Sequence, residues 1–252
     1  MVDRFDQRAL GAIRFVDRAT NNVIQRQIDL AANDAKFIRN RSNLYVVTEA
    51  VGLMHHIGEF ELPPITPINN SIEIEFEIYD PLNRYLPRVG RIFLPRDADP
   101  ENSELPDSLF QPINVALYAS PNAPVLNNWS SVRVSVYRTD AELGQVPVRG
   151  SLLRIVRISN DEVLASGLSD ERGEALIVIP GVPITRFADE DDEGDSVEVS
   201  ELPVRLEVSY VASEVWPLDP DVLENSHNDN LQLSQNLSLR TGRMEQTSIE
   251  LT

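Results

Sequence analysis

The chain lacks sustained helical periodicity, and its strongest pattern is alternation with period two in short runs. Ile72-Glu73-Ile74-Glu75-Phe76-Glu77-Ile78 is the clearest run. In an extended backbone successive side chains point to opposite faces. This segment therefore sets Ile and Phe on a core and Glu in water. Val132-Arg133-Val134-Ser135-Val136-Tyr137-Arg138 and Val204-Arg205-Leu206-Glu207-Val208-Ser209-Tyr210 read the same way. Ala175-Leu176-Ile177-Val178-Ile179 is apolar throughout, as a strand covered on both faces would be. Prolines, 17 in all, fall mostly between the runs, where they end strands and guard edges. An all-β fold follows.

The two halves echo each other. The first runs through Ile13-Arg14-Phe15-Val16, a turn at Ala19-Thr20-Asn21-Asn22, Val23 to Ile28, Arg41 to Val47 and the strand at 72–78. The second runs through Val132 to Tyr137, a turn at residues 139–144, residues 146–158, residues 169–177 and the strand at 204–210. Two tandem antiparallel β-sandwiches of immunoglobulin or transthyretin type are the economical reading, spanning residues 1–122 and 129–252. The stretch 97–107 is then a surface loop or part of the connection, and residues 122–128 are the hinge. A chain of 252 residues is long enough to bury two cores.

Composition narrows the chemistry. Without cysteine there is no disulfide, thiol nucleophile or zinc–thiolate site. The net charge of -18 repels nucleic-acid backbones and anionic membranes. The charge is uneven, with 12 basic and 17 acidic groups in residues 1–128 and 10 and 23 in residues 129–252. The N-terminal Met-Val-Asp-Arg-Phe-Asp-Gln-Arg has no apolar signal-peptide core, and no later stretch approaches a membrane span. Synthesis in the cytoplasm is expected.

In the second half, Val148-Arg149-Gly150-Ser151-Leu152-Leu153-Arg154-Ile155 is followed by the apolar–polar series from Ala165 to Pro183. Within that series Ser169-Asp170-Glu171-Arg172-Gly173-Glu174-Ala175 makes the step into a strand. Asp170 can close this turn through its side chain, and Gly173 can take a positive φ. Together with Leu237 to Arg243 and Thr247 to Leu251, this pattern resembles the carboxypeptidase-regulatory or transthyretin-like β-sandwich over roughly residues 132–252. The first half departs from it, with Asn43 where the glycine would be. The resemblance implies a structural or binding module with no catalytic residues of its own.

A second resemblance lies in Tyr79 to Arg88, Arg91 to Arg96 and Pro112 to Pro121. These segments are similar to accessory proteins of contractile injection systems, the phage-tail-like particles. That implies incorporation into such a particle at its cap or baseplate, with other subunits of the assembly as partners and homo-oligomeric packing.

Candidate sites follow from local composition. Residues 82–96 carry Arg84, Arg88, Arg91 and Arg96 with no acid, interleaved with Tyr85 and Phe93. Arginine and aromatic side chains anchor protein interfaces, so these six are the interface candidates. The competing reading is an edge strand whose arginines pair with local carboxylates.

The acidic run at residues 189–195 lacks the spacing of a helix-flanked calcium loop and reads as a solvated loop. His55 and His56 are adjacent and face opposite ways in a strand, while His227 lies in a polar loop. Glu73, Glu75 and Glu77 read as a wet strand face rather than a glycosidase pair. Trp129 and Trp216 read as packing residues, the alternative being a carbohydrate- or surface-binding module. No catalytic, cofactor or metal site is expected.

Overall fold

A computed structural model describes residues 9–53, 71–182, 201–212 and 215–251. His55, His56 and the acidic run 189–195 lie outside the described residues. The chain is an all-β protein that divides into two compact units. Unit 1 comprises Met1–Asp17, Asn21–Pro81 and Pro87–Leu117, and unit 2 comprises Arg18–Thr20, Leu82–Leu86 and Tyr118–Thr252.

Unit 1 contains β1 (Gly11–Asp17), β2 (Asp29–Ala31), β3 (Ala35–Arg39), β4 (Tyr45–Ala50), β5 (Ile72–Tyr79), β6 (Arg88–Leu94) and β7 (Ile113–Leu117). They form one sheet of order β3-β4-β1-β7 and another of order β2-β5-β6. The alternation of β5 is realised as read: Ile74, Phe76 and Ile78 are buried, and Glu73, Glu75 and Glu77 are exposed. Ile13, Phe15, Val47 and Leu117 of the other sheet are buried as well. Full burial of each such side chain contributes roughly 1.5–3 kcal/mol. Residues 97–107 are a loop between β6 and β7, carrying a 3-10 turn at Pro100–Asn102.

Unit 2 contains β8 (Ser130–Asp140), β9 (Gly144–Pro147), β10 (Leu152–Arg157), β11 (Val163–Leu168), β12 (Glu174–Ile179), β13 (Leu202–Ser209), β14 (Leu231–Leu239) and β15 (Met244–Glu250). A short helix, α1 (Pro220–Asn225), lies between β13 and β14. The sheets are β11-β10-β13-β14 and β12-β8-β15, with β9 on β8. Val132, Val134 and Val136 of β8 meet Val204, Leu206 and Val208 of β13 in one core cluster.

The sequence echo is a repeat of pairing. In unit 1, β1 pairs β4 antiparallel and β7 parallel. In unit 2, β8 pairs β12 antiparallel and β15 parallel. Likewise β2–β5–β6 matches β10–β13–β14. Among the described strands, each unit is thus antiparallel apart from one parallel pair between its first and last strands.

The repeat extends to a single turn. Asp170 Oδ1 accepts from the backbone N–H of Arg172 at 2.8 Å and of Glu174 at 3.0 Å, and Gly173 has φ +73°. Asn40 Oδ1 accepts from Ser42 N at 2.9 Å and Leu44 N at 3.0 Å, and Asn43 has φ +61°. An Asx side chain closing its own turn, followed by a residue that tolerates the left-handed region, is the cause in both. Asparagine is the residue besides glycine most often found there, which is why Asn43 can replace the expected glycine.

One strand breaks the repeat. In unit 2, β11 pairs β10, Leu152 opposite Leu168 through Val156 opposite Val163. In unit 1 the strand in that place, β3, pairs β4 of the other sheet instead. The chain between β1 and the Asn40 turn is shorter than its counterpart before Asp170. It cannot build a second full-length hairpin: β2 has 3 residues where β10 has 6. The hairpin partner therefore crosses to the opposite sheet.

Candidate functional site

The strand switch leaves a cleft in unit 1 of about 550 Å³. One wall is the chain from Gln27 through Ile28 to Leu30, and the other is formed by Phe37, Arg39 and Arg41 with Tyr45. Among the described residues, β2 is the edge of its sheet and β3 the edge of the other. The backbone edges that satisfy each other in unit 2 are therefore apart in unit 1. Unpaired edges are costly or reactive, and here side chains partly occupy them.

The Tyr45 hydroxyl accepts from Ile28 N and donates to Ile28 O, both at 2.8 Å. Burial pushes the Tyr45 phenol above its ordinary range, so the hydroxyl keeps its proton and serves both bonds. Its ring packs edge-on against Phe15 with centroids 4.9 Å apart. Arg39 donates from Nη2 to Gln25 O at 2.8 Å. In unit 2 the residue in the same place before the turn is Ser169. Its short hydroxyl donates to Val148 O at 2.9 Å and accepts from Ser151 N at 2.8 Å. A guanidinium on a long stem replacing a hydroxyl measures how far the strands have parted. Among the described residues, Arg39 and Arg41 face one acidic lining residue, Asp29, so this lining is basic in a chain of net charge -18.

The six side chains expected to form an interface are divided between the two units. Arg84 and Tyr85 belong to unit 2, and Arg88, Arg91, Phe93 and Arg96 to unit 1. Arg88 is 1% exposed. It donates to Val89 O at 3.0 Å and, from β6 to β7, to Ala116 O at 2.7 Å. Arg91 lies 3.4 Å from Glu73 and 3.1 Å from Glu75. Arg96 bonds Pro106 O and lies 3.8 Å from Asp107, its side chain 11% exposed. Arg84, Arg91 and Phe93 are at the surface, Phe93 at 56%. The alternation of β6 dictates this: Arg91 and Phe93 share the outer side with the β5 glutamates, while the strand's first residue, Arg88, turns inward.

A serine, a histidine and a glutamate do meet in unit 2. Ser209 Oγ is 3.0 Å from His227 Nδ1, and His227 Nε2 is 3.0 Å from Glu207 Oε2. Arg205 donates to Glu207 at 2.7 Å and to Asp161 at 3.1 Å. A nucleophile must be reached by its substrate, and Ser209 is fully buried with His227 2% exposed. The serine also sits on Nδ1 and the acid on Nε2, the reverse of a hydrolase triad. This is a closed polar row that fastens the His227 loop to β13. The sequence offered only a histidine in a polar loop, because its partners lie 18 and 20 residues away.

A second closed cluster fixes α1. Asp219 caps the helix by accepting from Asp221 N, and Pro220 occupies its first turn. This presents Glu224 to Arg154 Nε at 2.8 Å, Arg18 Nη2 at 2.9 Å and Tyr118 Oη at 3.0 Å. Burial alone would push the Glu224 carboxyl up, but Arg18, Arg154 and the Tyr118 hydroxyl together hold it below the ordinary glutamate range. Both tryptophans are half-buried, and Trp216 packs on the cluster of Leu152, Leu168 and Leu223. Among the described residues no group of three acidic or histidine side chains could hold a metal ion, and no helix is long and apolar enough to cross a membrane.

No family model and no curated protein matches the chain. Among solved structures, the Bacillus anthracis TIE protein aligns with 96% of this chain at 7% identity and a TM-score of 0.28, and the alignment spans 34% of that protein's length. The minor pilin GBS52 of the Gram-positive pathogen Streptococcus agalactiae aligns over 96% of this chain and 95% of its own at 8% identity and a TM-score of 0.31.

Proposed function

We propose that the protein is a non-catalytic structural subunit that works by docking to other proteins in a larger assembly. The observation that carries this reading is the cleft between β2 and β3, open among the described residues of unit 1 where unit 2 closes the same position with β11. A sandwich that leaves two sheet edges apart offers backbone groups for recognition, while its buried polar rows hold the scaffold rigid. The likeness of residues 79–121 to accessory proteins of contractile injection systems makes a phage-tail-like particle the assembly proposed, at its cap or baseplate. The second unit supplies a carboxypeptidase-regulatory-like module as rigid spacer.

The test is sedimentation of lysates from cells carrying an affinity-tagged full chain, with electron microscopy of the purified material. Rings or co-purification with particle components are expected. A strictly monomeric chain, with particle assembly intact after its gene is deleted, would overturn the proposal.

A further inference from the structure

We infer that the cleft of unit 1 accepts an extended segment of a partner protein carrying carboxylates, which lies between the edges of β2 and β3 and pairs as a strand with the longer of them, β3. The inference rests on the docking reading above and names the chemistry of the partner. Three observations carry it.

The first is internal. The sister unit seats a strand, β11, against β10, and the same position in unit 1 holds a cleft. The two units otherwise repeat each other's pairings and turn. The second is the edge itself. β3 offers 5 residues, about 17 Å of strand, on the side away from β4. Ile38 on it is 45% exposed, an apolar contact for an incoming side chain. The third is charge. Among the described lining residues, Arg39 and Arg41 stand against one acid, Asp29. A basic lining in an acidic chain selects carboxylates locally while the net field discourages indiscriminate anionic contacts. Arginine adds geometry, since its fork meets a carboxylate through two parallel bonds. Main-chain bonds would supply affinity and the arginines specificity, as in other strand additions.

The probe is a fluorescent peptide of residues 161–170, Asp-Glu-Val-Leu-Ala-Ser-Gly-Leu-Ser-Asp. It contains the strand that fills the corresponding place in unit 2 and carries acids at both ends. It is titrated into the full chain at low salt. Saturable binding is expected, with amide-exchange protection of residues 28–31 and 35–39. Arg41→Glu and a peptide with its three acids amidated should each weaken binding by about fivefold to tenfold. Arg41 is exposed, so the variant should fold, and its thermal melt verifies this.

Absence of saturable binding overturns the inference, and so does binding unchanged in Arg41→Glu. Competition by citrate without protection of β2 and β3 would make the cleft a small-anion pocket instead. Protection that appears without peptide as the chain is concentrated would make a second copy the occupant. A chain that fails as a peptide acceptor yet still co-purifies with its assembly loses only this inference. A chain that binds the peptide but joins no assembly loses the proposed function alone.

Discussion

Gly173 and Asn43 occupy the same place in two copies of one turn, and the structure makes opposite demands on them. Both sit in the left-handed region, at φ +73° and +61°. A Cβ at Gly173 would lie 2.3 Å from Val136 O and 3.1 Å from Val148 N, both backbone atoms. These atoms cannot swing away, because Val148 N donates to Val136 O at 2.9 Å and the neighbouring Val136 N donates to Gly173 O at 2.7 Å.

Gly173→Ala therefore combines a left-handed penalty of about 1–2 kcal/mol with the opening of two backbone bonds at about 1 kcal/mol each. The expected loss is about 3–4 kcal/mol, a large part of a domain's usual 5–15 kcal/mol, roughly. Asn43→Ala meets a smaller cost, about 1–2 kcal/mol, from the left-handed angle and the loss of its exposed bonds from Arg39 and to Gln25, since a Cβ already fits there. Gly173→Asn separates the two causes: asparagine tolerates the angle but keeps the collision, so about 2–3 kcal/mol should still be lost. Urea unfolding reads all three: tryptophan fluorescence follows the Gly173 variants in unit 2, which holds both tryptophans, and circular dichroism of the whole chain follows Asn43→Ala in unit 1. Gly173→Asn as stable as the parent, or Gly173→Ala no worse than Asn43→Ala, would refute the role assigned to space.

Other outcomes follow from the buried polar groups. Arg88→Met should cost about 2–4 kcal/mol in thermal melts, because Val89 O and Ala116 O lose a charged donor inside unit 1. The Glu224 carboxyl is held low in the folded state. Its cluster therefore stabilises above the unfolded carboxyl value of about 4.3 and is lost as pH falls through the lower folded value. Glu224→Gln should accordingly lower stability at neutral pH and flatten its fall between about pH 5 and pH 2 in acid titrations. A fluorophosphonate probe should leave Ser209 unlabelled in the folded chain. Labelling detected by peptide mass spectrometry would reopen a hydrolase reading.

Local chemistry made much of this molecule legible in its sequence. Alternation at 72–78 and 132–138 fixed which side chains face a core, because strand geometry leaves them no other choice. The Asp170 turn could be read because an Asx side chain and a left-handed residue act within five positions. The likeness of the halves was visible for the same reason. What depended on partners far along the chain was not legible. Arg88 looked like a docking residue until its strand position turned it inward toward Ala116. His227 gained meaning only through Ser209 and Glu207. The cleft escaped too, although Arg39 and Arg41 flank Asn40 of the turn in plain sight. Its signal was the shorter chain before Asn40, and length shows only that something is missing. Which sheet β3 would join was decided by where β2 ran out of residues and β4 offered a free edge, a competition between distant backbones that only the folded structure resolves.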